Sequence, residues 1–133
     1  MFALSMGAGM DICFPDVCLT PSPAPVPVPY PNMAMSAVTA PMAFTVLTEC
    51  TPTLNTMSKG LVSMGDQPGI GLGVVSHLEA GQTCYEVGCF TIMIGGAPAQ
   101  RLTSVTGQNC MGALPNGVGA CMVPSQVTLL TLG

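Results

Sequence analysis

Residues 21–32 read Pro-Ser-Pro-Ala-Pro-Val-Pro-Val-Pro-Tyr-Pro-Asn, with a proline at every second position. In an extended strand, alternate backbone N–H groups point to the same side, so these prolines would remove every donor from one edge. The other edge keeps the N–H groups of Ala24, Val26, Val28 and Tyr30. We therefore predict a strand that pairs with a sheet on one side only and is protected on the other. The alternative is a polyproline linker or an SH3-type ligand.

The rest of the chain has the composition of a protein built from many short strands. Pro and Gly supply 13 and 16 of the 133 residues, and they separate short runs rich in Val, Ile, Thr and Leu. We predict one all-β domain with few or no helices over residues 1–133, with the proline-rich segment within it. The predicted strands are residues 44–48, 61–64, 74–78, 84–87, 90–94, 99–103 and 126–132.

Three segments share a strand, a Gly or Pro turn and a second strand. The clearest copy is residues 90–102, in which Gly95 and Gly96 can supply the positive φ of a tight turn. Residues 45–53 have a similar pattern, and residues 124–130 repeat only its first half. Three imperfect copies predict a body with pseudo-threefold symmetry, because each unit needs its neighbours to bury its apolar face.

Charge is scarce and acidic. Charged side chains make up 6% of the chain, against about 25% in a typical soluble domain, and the net charge is −4 with two basic residues. This balance excludes a basic surface that could follow the phosphates of a nucleic acid. An uncharged surface of this extent also predicts a partner that covers part of it.

The apolar runs do not predict a membrane segment. Pro and Gly interrupt them before any reaches the roughly 18 residues of a spanning helix. Residues 1–7 begin without a basic region, so the sequence does not predict a cleaved signal peptide. We therefore expect synthesis in the cytoplasm with reduced thiols.

The cysteine count is odd. A set of seven cannot pair completely within one chain, so at least one thiol stays free or binds a metal. A Cys-His nucleophile would need a third orienting group, which no local pattern supplies, and the carboxylates are too scattered for an acid-base pair. We expect no enzymatic activity, and we expect Asp66 and Glu86 to be turn or surface residues. The cysteines are Cys13, Cys18, Cys50, Cys84, Cys89, Cys110 and Cys121.

Several fragments, in this order along the chain, resemble the PAAR-like proteins. Residues 14–21 (FPDVCLTP) lead into residues 26–32 (VPVPYPN), which resemble the P-I-P-Y-P-N motif of that family. Further on, residues 65–69, 73–76 and 95–101 resemble its glycine-aspartate and G-K-P-x-x-R signatures, with Ala97 in place of the usual Lys. The resemblance covers about residues 14–109.

The resemblance implies a fold, a function and partners. The fold would be a small conical β-prism. The protein would cap and sharpen the blunt end of the trimeric VgrG spike of a type VI secretion machine, with one cap per trimer, and an effector or its adaptor could travel with it. It would be assembled in the cytoplasm and then translocated outside or into a target cell.

The resemblance also raises the question of zinc. Members of the broader PAAR family hold zinc near the apex with histidines and a cysteine, but the H-G-G and C-P-x-H motifs are missing here, at residues 71–73 and 110–112. If zinc is bound, a Cys₃His site is chemically sound. The alternative is that most cysteines pack as small apolar residues. The ligands named first are Cys18, His77, Cys110 and Cys121.

Two other classes of function remain open from the sequence. One is a secreted, cysteine-stapled binding module, which predicts paired thiols on purification. The other is a small cysteine-dependent enzyme, which predicts one thiol with a depressed pKa. The spike cap requires neither property.

Overall fold

The computed structural model describes residues 1–40 and 43–132, and the regular structure in these residues is entirely β. The prediction of an all-β protein is confirmed. No helix in these residues is long and apolar enough to cross a membrane. The strands are β1 (Met10–Ser22), β2 (Ala24–Met35), β3 (Thr39–Ala40), β4 (Ala43–Thr48), β5 (Thr51–Thr53), β6 (Lys59–Gly60), β7 (Ser63–Met64), β8 (Thr83–Tyr85), β9 (Cys89–Ile94), β10 (Ala97–Ala99), β11 (Val105–Gln108) and β12 (Gly117–Val123).

Eight of these strands form one antiparallel sheet, in the order β3-β6-β8-β11-β12-β1-β2-β7. Its longest pairing is the hairpin of β1 and β2. The remaining strands form two separate hairpins, β4 with β5 and β9 with β10. The chain is thus a sheet with short hairpins attached to it.

The proline-rich segment forms most of β2 and pairs on one side, as the sequence predicts. Val26, Val28 and Tyr30 lie opposite Thr20, Cys18 and Asp16 of β1. Among the described residues, the other edge of β2 pairs only with β7, at Met33 and Ala34, beyond the last proline. The segment is therefore a strand with one protected edge and not a linker.

The two separate hairpins are copies of each other. Every pairing in β9 and β10 lies 46 positions after its counterpart in β4 and β5, including an irregularity in the register. Both residues of each turn have positive φ, as a type I′ turn requires. These are Glu49 (51°) and Cys50 (63°) in the first hairpin and Gly95 (62°) and Gly96 (83°) in the second.

A third copy is assembled from two segments that are far apart in sequence. Phe2 forms a bridge with Leu130, and the Thr131 N–H donates to the Met1 carbonyl at 2.7 Å. In this third copy, residues 126–131 correspond to β4 and β9 of the other two copies, and residues 1–3 correspond to β5 and β10. The half repeat at residues 124–130 is thereby completed by the start of the chain.

The three hairpins are joined by hydrogen bonds that follow a pseudo-threefold pattern. The N–H of Leu4 donates to Gln100 (2.9 Å), that of Gln100 to Leu54 (3.2 Å), and that of Leu54 back to Leu4 (3.0 Å). The predicted pseudo-threefold symmetry is therefore present in the three hairpins, which together we call the hairpin ring. A second cycle joins Met6 to Pro52 (2.8 Å), Thr56 to Pro98 (3.0 Å) and Leu102 to Phe2 (2.8 Å).

The apolar core lies inside the hairpin ring and is small. Leu4 and Leu54 are fully buried and pack with Tyr85 and Cys121. Asp11 is buried beside them, and its Oδ2 accepts a hydrogen bond from the Tyr85 hydroxyl at an oxygen–oxygen distance of 3.0 Å. Its other oxygen has no hydrogen-bond partner. Burial raises the pKa of the Asp11 carboxyl above its ordinary value of 3.8, although the nearby Cys121 thiol and Tyr85 hydroxyl oppose this.

We expect Asp11→Asn to change how stability depends on pH. A carboxyl whose folded pKa is raised contributes stability below its unfolded pKa and loses that contribution as pH rises through its folded pKa. The wild type should therefore lose free energy of unfolding, relative to the variant, as pH rises from about 4. Urea unfolding of both proteins across this range checks the difference. A constant difference between them would contradict the expectation.

Several predicted strands differ from the structure. Residues 74–78 form turns and not a strand, since the His77 N–H donates to the Gly73 carbonyl at 3.1 Å. Of residues 61–64, only β7 is a strand, and residues 126–132 contribute an isolated bridge. β11 and β12 were not predicted, because glycines interrupt their apolar pattern.

Candidate functional site

Each hairpin of the ring exposes two large apolar side chains at equivalent positions. They are the second and fifth residues of its first strand. Each of these residues is 55% to 74% exposed to solvent. The first and sixth residues of each strand are buried, which fixes the strand against the ring. We call these six residues the apolar face: Phe44 and Leu47, Phe90 and Met93, and Val127 and Leu130.

A register irregularity explains this exposure. In β4 the pairing shifts between Ala43 and Leu47, and β9 has the same shift. Such a bulge breaks the strict alternation of sides along a strand. In a regular strand the second and fifth side chains would point to opposite sides. With the bulge, both can be exposed.

A buried polar cluster lies around Asp16, away from the apolar face in sequence. Asp16 and Asp66 are both fully buried. Asn109, which follows β11, donates its Nδ2 to Asp16 Oδ2 at 2.8 Å and to Asp66 Oδ2 at 2.5 Å. Asn32 of β2 donates to Asp16 Oδ2 at 2.6 Å, and Asn116, just before β12, donates to Asp16 Oδ1.

The prediction that Asp66 is a turn or surface residue is confirmed for the turn, because the Gly69 N–H donates to the Asp66 carbonyl at 2.8 Å, but Asp66 is buried and is not a surface residue. It is separated from β7 by Gly65, and its carboxylate points inward and accepts the Ala80 N–H at 3.2 Å. Amides from separate parts of the chain supply the hydrogen bonds that water would give at the surface. A single charged residue in a Gly-Asp turn carries no local signal for this burial.

The family comparison covers most of these elements. The model of a family described as the toxin PAAR-like domain matches residues 9–115. The chain belongs to this family. The match includes Asp16, Cys18, Asp66 and Asn109, and it excludes the third hairpin of the ring. No curated protein and no solved structure gave a match. PAAR-like membership indicates a module associated with toxins or spikes.

Two groups of side chains in the described part of this PAAR-like domain could hold a metal ion. The first is Asp16, Cys18 and Asp66, all buried, with one ligand atom of each within 4.8 Å of the others. Burial and the neighbouring carboxylates, Asp16 and then Asp66, raise the pKa of the Cys18 thiol to about 12. Without a cation the thiol therefore stays protonated at neutral pH.

The second group is Cys84, Glu86 and Cys110, of which Glu86 is exposed, as predicted. The thiols donate to backbone carbonyls, Cys84 to Gly112 at 3.5 Å and Cys110 to Gly107 at 3.2 Å. Burial, followed by the Cys84 thiol, raises the pKa of Cys110. Both thiols are satisfied as neutral donors.

The structure does not gather Cys18, His77, Cys110 and Cys121 into one metal site. Among the residues described, Cys18 belongs to the first group and Cys110 to the second. His77 is exposed at a turn with φ of 56°. Cys121 is buried in the apolar core, and its thiol donates to the Val123 carbonyl at 3.5 Å. The residues named for a Cys₃His zinc site thus do not fit one.

Proposed function

We propose that this PAAR-like domain caps the blunt end of a trimeric VgrG spike, with one copy per trimer, and sharpens it for a type VI secretion machine. The observation that carries the proposal is the apolar face. One cycle of hydrogen bonds joins the three hairpins. It thereby repeats a pair of exposed apolar side chains three times around a pseudo-threefold axis.

Symmetry explains why one chain would bind a trimer. A trimer ends in three identical surfaces, and a cap in single copy must offer a similar contact to each of them. The hairpin ring does so with three copies of one hairpin. The strands and turns of these hairpins, residues 43–53, 89–99, 126–131 and 1–3, carry one charged side chain, Glu49. The end of a β-helical spike is apolar and has unpaired strand edges, so it would match such a surface.

The rest of the domain would form the tip. The long β1–β2 hairpin belongs to the eight-stranded sheet and not to the ring, and its alternate prolines restrict the backbone of β2. A restricted backbone loses little entropy on being held, which favours a stiff point for piercing a membrane. An effector, directly or through an adaptor, would travel on this assembly from the cytoplasm to the outside or into a target cell.

The proposal assigns no catalysis to the domain. The seven thiols are free in the structure, which is the state expected of a protein made and assembled in the cytoplasm. A zinc ion held by the domain would serve only to stabilise the tip.

Co-purification with a VgrG trimer tests the proposal. The domain is expressed with a candidate spike protein from the same genome, and the mass of the purified complex is measured. We expect one copy of the domain per trimer. A domain that binds no spike from that genome would overturn the proposal. If its thiols were also paired, a cysteine-stapled binding module would replace it.

A further inference from the structure

We infer that Cys84 and Cys110 are a disulfide-forming pair, which a disulfide donor oxidises once the protein leaves a reducing compartment. We call these two residues the thiol pair. The proposed delivery supplies such a compartment, but the chemistry of the pair does not depend on binding to a spike. Cys84 belongs to β8 and Cys110 follows β11, so both lie outside the hairpin ring.

The pairing of β8 with β11 brings the two cysteines together. Cys84 lies directly opposite Gly107 in this pairing. Cys110 comes just after β11, and its N–H donates to the Gln82 carbonyl at 2.8 Å. Backbone hydrogen bonds therefore hold the two cysteines on neighbouring segments of the sheet.

The Cys110 sulfur lies beside the position where a side chain of Gly107 would be. Directly opposite residues of an antiparallel pair project their side chains to the same side of the sheet. A Cβ added at Gly107 would lie 3.2 Å from Cys110 Sγ, so this sulfur occupies space opposite the Cys84 side chain. The two sulfurs and a carboxylate oxygen of Glu86 accordingly lie within 4.8 Å of one another.

The two sulfurs can reach bonding distance by rotation of the side chains. A disulfide holds its sulfurs about 2 Å apart, and a change of one rotamer about the Cα–Cβ bond moves a sulfur by roughly 3 Å. The rotation would break two hydrogen bonds, from Cys84 to the Gly112 carbonyl at 3.5 Å and from Cys110 to the Gly107 carbonyl at 3.2 Å. Thiols are weak donors, so this loss is small.

The thiol pair is distinguished from the other cysteines by its contacts. Of the two clusters of ligand-type side chains in the described residues, it is the one that contains two sulfurs. The thiols of Cys18, Cys89 and Cys121 contact carboxylates, a hydroxyl and a backbone carbonyl, respectively. Cys50 is exposed in a hairpin turn.

An exposed turn gives a disulfide donor a route to the buried pair. Residues 111–114 are exposed, and Met111 and Leu114 close the turn with hydrogen bonds of 3.0 and 3.2 Å. Gly112 of this turn accepts the hydrogen bond of the Cys84 thiol. Local opening of the turn would therefore uncover the pair while the sheet remains folded.

Oxidation would proceed by two exchange steps. One thiolate of the pair attacks a sulfur of the donor disulfide, which forms a mixed disulfide and releases one donor thiol. The second thiolate then attacks the protein sulfur of the mixed disulfide and releases the other donor thiol. The pair loses two electrons and two protons, and the donor disulfide is reduced to two thiols.

The bond would join β8 to the segment that carries Asn109. It closes a loop from residue 84 to residue 110, and cross-linking a loop of this length reduces the entropy of the unfolded chain. We expect it to raise the unfolding temperature by about 10 °C. The domain would then be more stable after delivery than during assembly.

The test uses the full chain with Cys50→Ser, because the exposed Cys50 would react with the donor by itself. The protein is purified with a reductant, transferred to oxidised glutathione, alkylated and digested with trypsin. Cleavage after Lys59 and Arg101 places Cys84 and Cys110 in different peptides. We expect these two peptides to be linked, with fragmentation locating the bond at Cys84 and Cys110.

Variants in the same background assign the bond. Cys84→Ser and Cys110→Ser should each abolish the linked peptides and the rise in unfolding temperature. Cys89→Ser is the matched control, because it alters the other cysteine of the peptide that contains Cys84, and it should change neither result.

The parent chain decides the outcome even if a variant does not fold. Its unfolding temperature should rise with oxidised glutathione and return to the original value with dithiothreitol. The inference is overturned if the two peptides are not linked, if the bond lies at Cys89 or Cys121, or if oxidation leaves the unfolding temperature unchanged.

Discussion

The triple substitution of Phe44, Phe90 and Val127 by serine is expected to abolish binding to a VgrG trimer while the domain stays folded. These side chains are among the most exposed of the chain, so their loss removes little core packing. At a protein interface, large anchoring side chains often contribute about 2 kcal/mol or more each, which is roughly 30-fold in affinity. Their combined loss should leave no complex in co-purification or calorimetry.

A control triple variant separates the apolar face from exposed apolar area in general. Ile70, Leu114 and Val118 are exposed to a similar degree, from 60% to 64%, but lie outside the three hairpins. Their substitution by serine should leave binding unchanged. Equal loss of binding in both triple variants would show that the hairpin ring is not the contact surface.

Gly119→Ala is expected to destabilise the domain by about 3 kcal/mol or more. Gly119 lies in β12, between β11 and β1 in the sheet. A Cβ at this position would overlap the Ile12 carbonyl oxygen and lie 2.7 Å from the Cys13 Cα. Both neighbours are backbone atoms, so β1 and β12 would have to separate. Urea unfolding should show a lower midpoint, or an unfolded protein.

Gly112→Ala is the matched control for this clash. Gly112 has φ of 69°, but a Cβ there would meet nothing within 4 Å. Its replacement should cost only the conformational penalty of alanine, about 1 kcal/mol. Equal losses in the two variants would mean that β1 and β12 accommodate the added methyl group, so their close approach does not require Gly119.

The sequence predicted those features of the fold that depend on local chemistry. The missing N–H groups of alternate prolines determine which edge of β2 can pair, whatever surrounds it. Residues 90–94 likewise carry a complete strand pattern. Residues 74–78 have a similar apolar content, yet they form turns because their hydrogen bonds go to Gly73 and Asn116. Tertiary contacts decide such ambiguous segments.

The site was less predictable, because it depends on contacts between distant residues. The cysteines and the histidine suggested zinc ligands by their chemistry alone. The sequence could not show that Cys18 lies with two carboxylates and not with Cys110 or His77. Asp16 and Asp66 are fifty positions apart, and Asn109, which joins them, is farther still along the chain. Without the fold, three common polar residues at these spacings carry no signal.

The third hairpin has a consequence for the order of folding. The strands of the first two hairpins are neighbours in sequence, so each can close within microseconds as a local event. The third pairs residues 1–3 with residues 126–131, and the entropy of closing so long a loop must be offset by structure already formed between them. We expect it to form last and to open first in hydrogen exchange. The threefold surface would then exist only on completely folded molecules, so an incompletely folded chain could not occupy a spike.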